Sequence, residues 1–212
     1  MADGRLGNQR HSKRRTQAER RAATRTALLE ATVECLVEFG YSNVTAAQIA
    51  ARAGVTRGAQ AHYFATKAEL VVAGLEYATG RIIDQFRTDP PHGPTEVETV
   101  MALVDRLWAL HDGATFTALV ELWLGSRTDP ELRRHVHRLN KELTTGMSEI
   151  LTQVAPDFLN RPRGASVMLT ALAAIRGVVL MSFVSSTRTT TALWTVTRGE
   201  IGELAADAIG RS

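Results

Sequence analysis

Apolar positions recur every three or four residues from about residue 20 to 90, and again beyond 95, with none of the strict alternation that marks strands. Leu28, Thr32, Cys35, Leu36 and Phe39 share one face of a first helix over about 18–39, which Gly40 closes. Thr45-Ala46-Ala47-Gln48 is a capping box: the threonine oxygen takes an orphan N–H and Gln48 reaches back, with Val44 and Ile49 as a hydrophobic staple. The second helix is short, about 45–52, because Gly54 follows. Thr56 then caps a third helix reaching about Phe64, and Thr66-Lys67-Ala68-Glu69 opens a long fourth toward Phe86. Pro90, Pro91, Gly93 and Pro94 make a break of the kind that separates units.

Beyond the break the helical spacing resumes. Val97, Met101, Val104, Trp108 and His111 share a face, and Phe116, Leu119, Val120 and Trp123 follow Gly113. Asp129-Pro130 is an N-cap with proline at the first helical position, starting a helix that runs to about Val154. Pro156 and Pro162 bracket a loop, followed by an apolar segment over 165–184 and an amphipathic one over about 191–209. The chain is therefore all-α.

Composition narrows the class. The chain has 212 residues with 44% hydrophobic and 22% charged residues, an ordinary globular balance. A single cysteine, Cys35, excludes an internal disulfide framework and points to a reducing, cytoplasmic compartment. The polar first 21 residues hold no apolar stretch of a secretory signal. The segment 165–184 is long enough to span a bilayer, but Arg176 at its centre costs about 2.5–3.5 kcal/mol to insert, which favours a buried helix and no membrane. Charge is uneven: residues 1–80 carry 11 basic against 7 acidic side chains, the remainder 14 against 15. A basic first third suggests that this part meets a polyanion.

Two short helices joined at Gly54, the second opening at Thr56, have helix-turn-helix geometry, which lets the second helix enter a major groove about 12 Å wide. Its outward residues Thr56, Arg57, Gly58, Gln60 and Ala61 are mostly small and polar, so the backbone can approach a partner closely. The same shape also occurs as inert structure.

The run Thr45–Leu70, with Ile49-Ala50, Ala53-Gly54-Val55, Thr56-Arg57-Gly58, Phe64 and Thr66-Lys67-Ala68-Glu69-Leu70, resembles the DNA-binding domain of TetR-family (tetracycline-repressor-like) transcriptional regulators, as does the preceding Phe39-Gly40-Tyr41. The resemblance implies three parts: a flexible basic arm over 1–16, a helix-turn-helix domain over 17–66, and a helical effector-binding and dimerisation bundle over 67–212. It implies that Thr45 touches a phosphate and that Thr56, Arg57 and Gly58 lie at the recognition-helix mouth. His62 and Tyr63 would sit near the DNA backbone, and Lys67 would clamp another phosphate. Two positions depart from the family's commonest residues, leucine and tyrosine, which here are Gln60 and Ala61. Gln60 either reads an adenine or fills the leucine's inward slot, the second slightly favoured. Arg14 and Arg15 belong to a solvated charge run or reach a groove or phosphate.

For the larger domain, the resemblance implies that the last two helices pair with their copies in a homodimer, through Leu169, Leu172, Ala173, Arg176, Gly177 and Leu180 on one and Trp194, Ile201, Leu204 and Ala208 on the other. A small-molecule effector would sit among Tyr77, Trp108, His111, Phe116, Trp123 and Met147, a lining that favours a hydrophobic or aromatic compound, although such residues are more often plain core. No catalytic or nucleotide-binding motif occurs, and His135 and His137, two apart on a helix, are poor joint metal ligands. The expected function is a ligand-responsive repressor of double-stranded DNA operators, with no cofactor or metal. The alternatives are an effector-free architectural binder, and an enzyme using His111, Asp105 or Glu121.

Overall fold

A computed structural model describes residues 16–210, all of whose regular elements are helices: α1 Gln17–Asn43, α2 Ala46–Arg52, α3 Arg57–Tyr63, α4 Lys67–Thr88, α5 Glu96–His111, α6 Ala114–Gly125, α7 Pro130–Val154, α8 Pro156–Asn160, α9 Gly164–Ser182 and α10 Thr187–Gly210. Arg14 and Arg15 lie outside the described residues. Side-chain caps set most helix starts. Thr16, Thr45, Thr56, Thr66, Thr95 and Asp129 each accept the N–H of the residue three positions on. Gly40, at φ 68°, breaks α1 three residues before its end, and Gly54, also at φ 68°, makes the turn between α2 and α3; both need the left-handed region that glycine enters freely. The bracketed loop of residues 156–162 holds a short helix, α8, which plants Phe158 in the core with no exposed surface. The last helix starts four residues earlier than its apolar pattern indicates, because Ser186 accepts from the Thr189 N–H and caps a polar first turn.

Two apolar cores hold the chain together. The first joins Leu28, Leu36, Ile49, Leu70 and Leu75 to Phe116, Leu122, Leu132 and Leu139, so the helix-turn-helix region shares its interior with α6 and α7. Packing is continuous across the expected boundary at 66/67, and α4 serves both sides of it. The second core gathers Phe86, Leu103, Leu107, Phe158, Ile175, Ile201 and Ala205 from α4, α5, α8, α9 and α10. Two ion pairs fasten its rim: Arg161 grips Glu96 (Nη2–Oε2 2.8 Å), and Arg198 grips Asp105 (Nη2–Oδ2 2.7 Å).

Candidate functional site

The tip of α3 is built from local bonds. Thr56 Oγ1 accepts from the Ala59 N–H at 3.1 Å, fixing the first turn while leaving the Arg57 side chain exposed and without an ion pair among the described residues. Gly58 is exposed as well, and a Cβ placed there would meet nothing within 4 Å, so this face is open. His62 is also exposed, whereas Tyr63 is half-buried with its ring edge-on to His62 at 5.8 Å. Thr45 is exposed, but its hydroxyl is spent in the capping box, accepting from the Gln48 N–H and donating to Gln48 Oε1.

Two candidate DNA-facing residues turn to the protein instead, Gln60 by taking the inward alternative and Lys67 against expectation. Gln60 is buried, and its Nε2 donates to the Phe64 carbonyl at 3.2 Å; it fills the inward slot and cannot read a base. Lys67 donates from Nζ to the Tyr41 carbonyl at 2.6 Å and lies over the Tyr41 ring, 4.3 Å from its centroid. Burial lowers its pKa, and the ammonium ties α4 to the end of α1 instead of reaching outward for a phosphate. Arg52 is likewise committed, to Glu38 and Glu34.

That same end of α1 is latched to the body by groups the sequence reading did not anticipate. The Tyr41 hydroxyl donates to Asp129 Oδ2 at 2.8 Å, and the Tyr41 N–H donates to Glu121 Oε2 at 3.1 Å. The ring packs so tightly on Gly125 that a Cβ there would sit 2.4 Å from it. Asp129 was legible only as an N-cap, which it also is.

The aromatic cluster lies on the opposite side of α6. At 100° per residue, Phe116 and Trp123 project away from Glu121 and Gly125. His111 meets Phe116 at 4.5 Å between centroids, Phe116 meets Trp123 edge-on at 5.7 Å, and the Arg176 guanidinium lies over Trp123 at 5.4 Å. The Trp123 indole N–H donates to Asn140 Oδ1 at 3.0 Å. His111 Nδ1 contacts the Leu107 carbonyl at 2.7 Å, and burial lowers its pKa to about 4. The remaining expected pocket residues are dispersed. Trp108 stacks flat on Trp194 at 4.3 Å, Met147 packs against the second core, and Tyr77 sits on a separate cleft of about 290 Å³ with its hydroxyl 3.3 Å from Glu30. Asp105 and Glu121, the acids weighed beside His111 for an enzyme, are turned to Arg198 and Tyr41 instead.

The expected dimer residues also divide. Leu169, Ala173, Gly177 and Leu180 form an exposed stripe along α9, with Leu172 half-buried at its edge, and Val184 extends it at 81% exposure. On α10 the residues named from the sequence face inward: Ile201 and Ala208 are buried in the second core, Leu204 packs against it, and Trp194 is taken by Trp108. Arg176 points to the aromatic cluster. The outer face of α10 is carried by Leu193 and Val196, at 40% and 65% exposure, which the i, i+3 spacing could have shown once the inward face was known. Gly164–Ser182 is long and apolar enough to cross a membrane, and 39% of its apolar window is buried within the chain.

Residues 28–73, which hold the Thr45–Gln48 capping box and the α3 tip, match the family of bacterial regulatory proteins, tetR family. The HTH-type transcriptional regulator CymR of Pseudomonas putida is 33% identical over 126 residues, 59% of this chain and 62% of its own length. The chain thus spans about three fifths of the length of that curated relative. Two solved structures share the fold over most of the molecule. A transcriptional regulator from Pseudomonas aeruginosa aligns with a TM-score of 0.64 at 22% identity, over 93% of this chain and 96% of its own. FadR from Bacillus subtilis, in complex with stearoyl-CoA, aligns at 0.62 and 20% identity, over 84% and 96%. The helix-turn-helix region thus matches the tetR family of bacterial regulatory proteins, and the helical body shares its fold with the solved Pseudomonas aeruginosa regulator.

Proposed function

We propose that this protein is a dimeric, sequence-specific repressor of transcription in the cytoplasm, released from a pseudo-palindromic DNA operator by a small apolar or aromatic effector. The observation that carries the reading is the α3 tip: a capped helix start with an exposed, unpaired Arg57 beside the bare backbone of Gly58, while Gln60 and Phe64 anchor the helix from below. An arginine in that position can pair bidentately with a guanine edge, and the helix start favours phosphate.

A single tip reads only a few base pairs, so a second copy is needed. The apolar stripe of α9 and the outer face of α10 supply a continuous surface whose natural cover is the same surface of another chain. Two tips about 34–36 Å apart then meet successive major grooves. α6 connects the sites: an effector wedged against Phe116 and Trp123 pushes on a helix whose other face holds Tyr41 and, through it, the end of α1. It releases DNA only in so far as it binds the displaced state more tightly.

The test is a footprint on DNA flanking the protein's own gene, with gel-shift titrations of the protected duplex. Two protected half-sites related by a dyad are expected. Arg57→Ala should weaken specific binding about 10- to 100-fold, corresponding to about 1–3 kcal/mol, at unchanged melting temperature. Equal affinity for every duplex would overturn the reading.

A further inference from the structure

The other half-buried arginines among the described residues are paired, Arg106 with Asp89, Arg161 with Glu96 and Arg198 with Asp105. Arg176 is the exception. It lies on the flank of α9 between the core-facing residues Ile175 and Val179 and the exposed stripe, and its Nε is buried without a hydrogen-bond acceptor. Its only described contact of note is the face of Trp123. Burial alone shifts its pKa, downward, with no carboxylate acting on it. A guanidinium nevertheless stays protonated, so a stranded donor carries a positive charge in an apolar wall.

The surroundings add no compensating charge. His111, the other titratable group of the cluster, is neutral near pH 7, and its ring nitrogen facing Leu107 is occupied. Glu121 lies on the far face of α6, and Asp105 is held by Arg198. The cluster therefore presents one cation, two aromatic faces and no anion. Trp123 and Arg176 both keep partial exposure, while Phe116 beneath them is buried.

We infer that Arg176 anchors the head group of the effector, and that the effector is an apolar or aromatic acid whose carboxylate pairs with the guanidinium while its body lies against Trp123 and Phe116. This rests on the regulator reading for its biological meaning, but the chemistry stands on Arg176. Planar carboxylates suit the guanidinium fork, and the bond is strongest where water is excluded. The vacant Nε then completes a pair, and the wedge against α6 is set by the body of the acid.

The full-length protein is titrated with benzoate, 2-naphthoate and decanoate, each against its own primary carboxamide, following tryptophan fluorescence and melting temperature. At least one acid should bind about tenfold or more tightly than its amide. Arg176→Gln should bring that acid down to the level of its amide, while Arg176→Lys keeps part of the preference because it retains a point charge without the fork. Without ligand, Arg176→Gln should melt at or above the wild-type temperature, since it removes a buried charge that nothing pairs. The inference is overturned if none of the acids binds, if acids and amides bind alike, or if Arg176→Gln leaves the preference intact. It is equally overturned if that variant loses dimerisation in sedimentation while binding acids normally. The footprint keeps the two claims apart: specific DNA protection with equal acid and amide binding sinks this inference alone, and an acid preference without specific DNA binding sinks the regulator reading alone.

Discussion

Tyr41→Phe removes one oxygen and tests the latch between the helix-turn-helix region and the body. The ring is 7% exposed and packed on Gly125, so the substitution leaves the packing in place and deletes only the 2.8 Å bond to Asp129. A hydrogen bond to a charged group contributes about 1.5–3 kcal/mol net. Asp129 is partly exposed, so water re-solvates the freed oxygen and the loss falls at the lower end, about 1.5 kcal/mol. At roughly 2–4 °C per kcal/mol for a chain of this size, the melting temperature should drop by about 3–6 °C. Acid titration adds a second reading. The Asp129 pKa is lowered, first by the Leu132 N–H and then by the Tyr41 hydroxyl. Its stabilisation is therefore fully present above the ordinary carboxylate pKa of 3.8 and is lost as pH falls through the depressed folded value. Tyr41→Phe should shrink that acid limb without abolishing it, because the Leu132 bond remains. A double-mutant cycle with Asp129→Asn, which keeps a competent N-cap, should give a coupling of about 1 kcal/mol. A melting temperature within 1 °C of wild type and a coupling near zero would refute the latch (threshold about 0.3 kcal/mol on the same scale).

The exposed faces and the buried histidine make further predictions. Val196→Glu or Leu169→Glu places a charge in the proposed subunit interface and should convert a dimer into monomers in sedimentation velocity, with loss of operator binding; a persistent dimer would move the interface elsewhere. His111, depressed from 6.5 to about 4, contributes stability that is complete above pH 6.5 and lost as pH falls toward 4, amounting to at most about 3 kcal/mol. His111→Leu should flatten the unfolding free energy between those two pH values in urea titrations, and an unchanged slope would show that the ring is solvated in the folded state.

Much of the architecture was legible because helix starts are local chemistry. The threonine caps and the glycines at 40 and 54 act on neighbours within five residues, so Thr45, Thr56 and Thr66 mark their helices without knowledge of the rest. Facing directions on α9 and α10 were less legible. An all-apolar helix offers no polar side to orient it, and the choice of Ile201 over Val196 for the outer surface depends on where α5 packs. Lys67 and Arg176 were misplaced for a related reason. Long flexible side chains go where a distant carbonyl or ring receives them, here Tyr41 from 26 residues away and Trp123 from another helix. The hint in the sequence was that Arg176 is the sole charge in its apolar run.

The shared first core also bears on engineering. Leu36, Leu70 and Leu75 are covered by residues of α6 and α7, so a helix-turn-helix head cut out at residue 66, or even at the proline-rich break, would carry a raw hydrophobic wound. Chimeric sensors that graft this head onto a foreign body must transplant the matching face of α6 and α7 with it, or redesign that seam residue by residue.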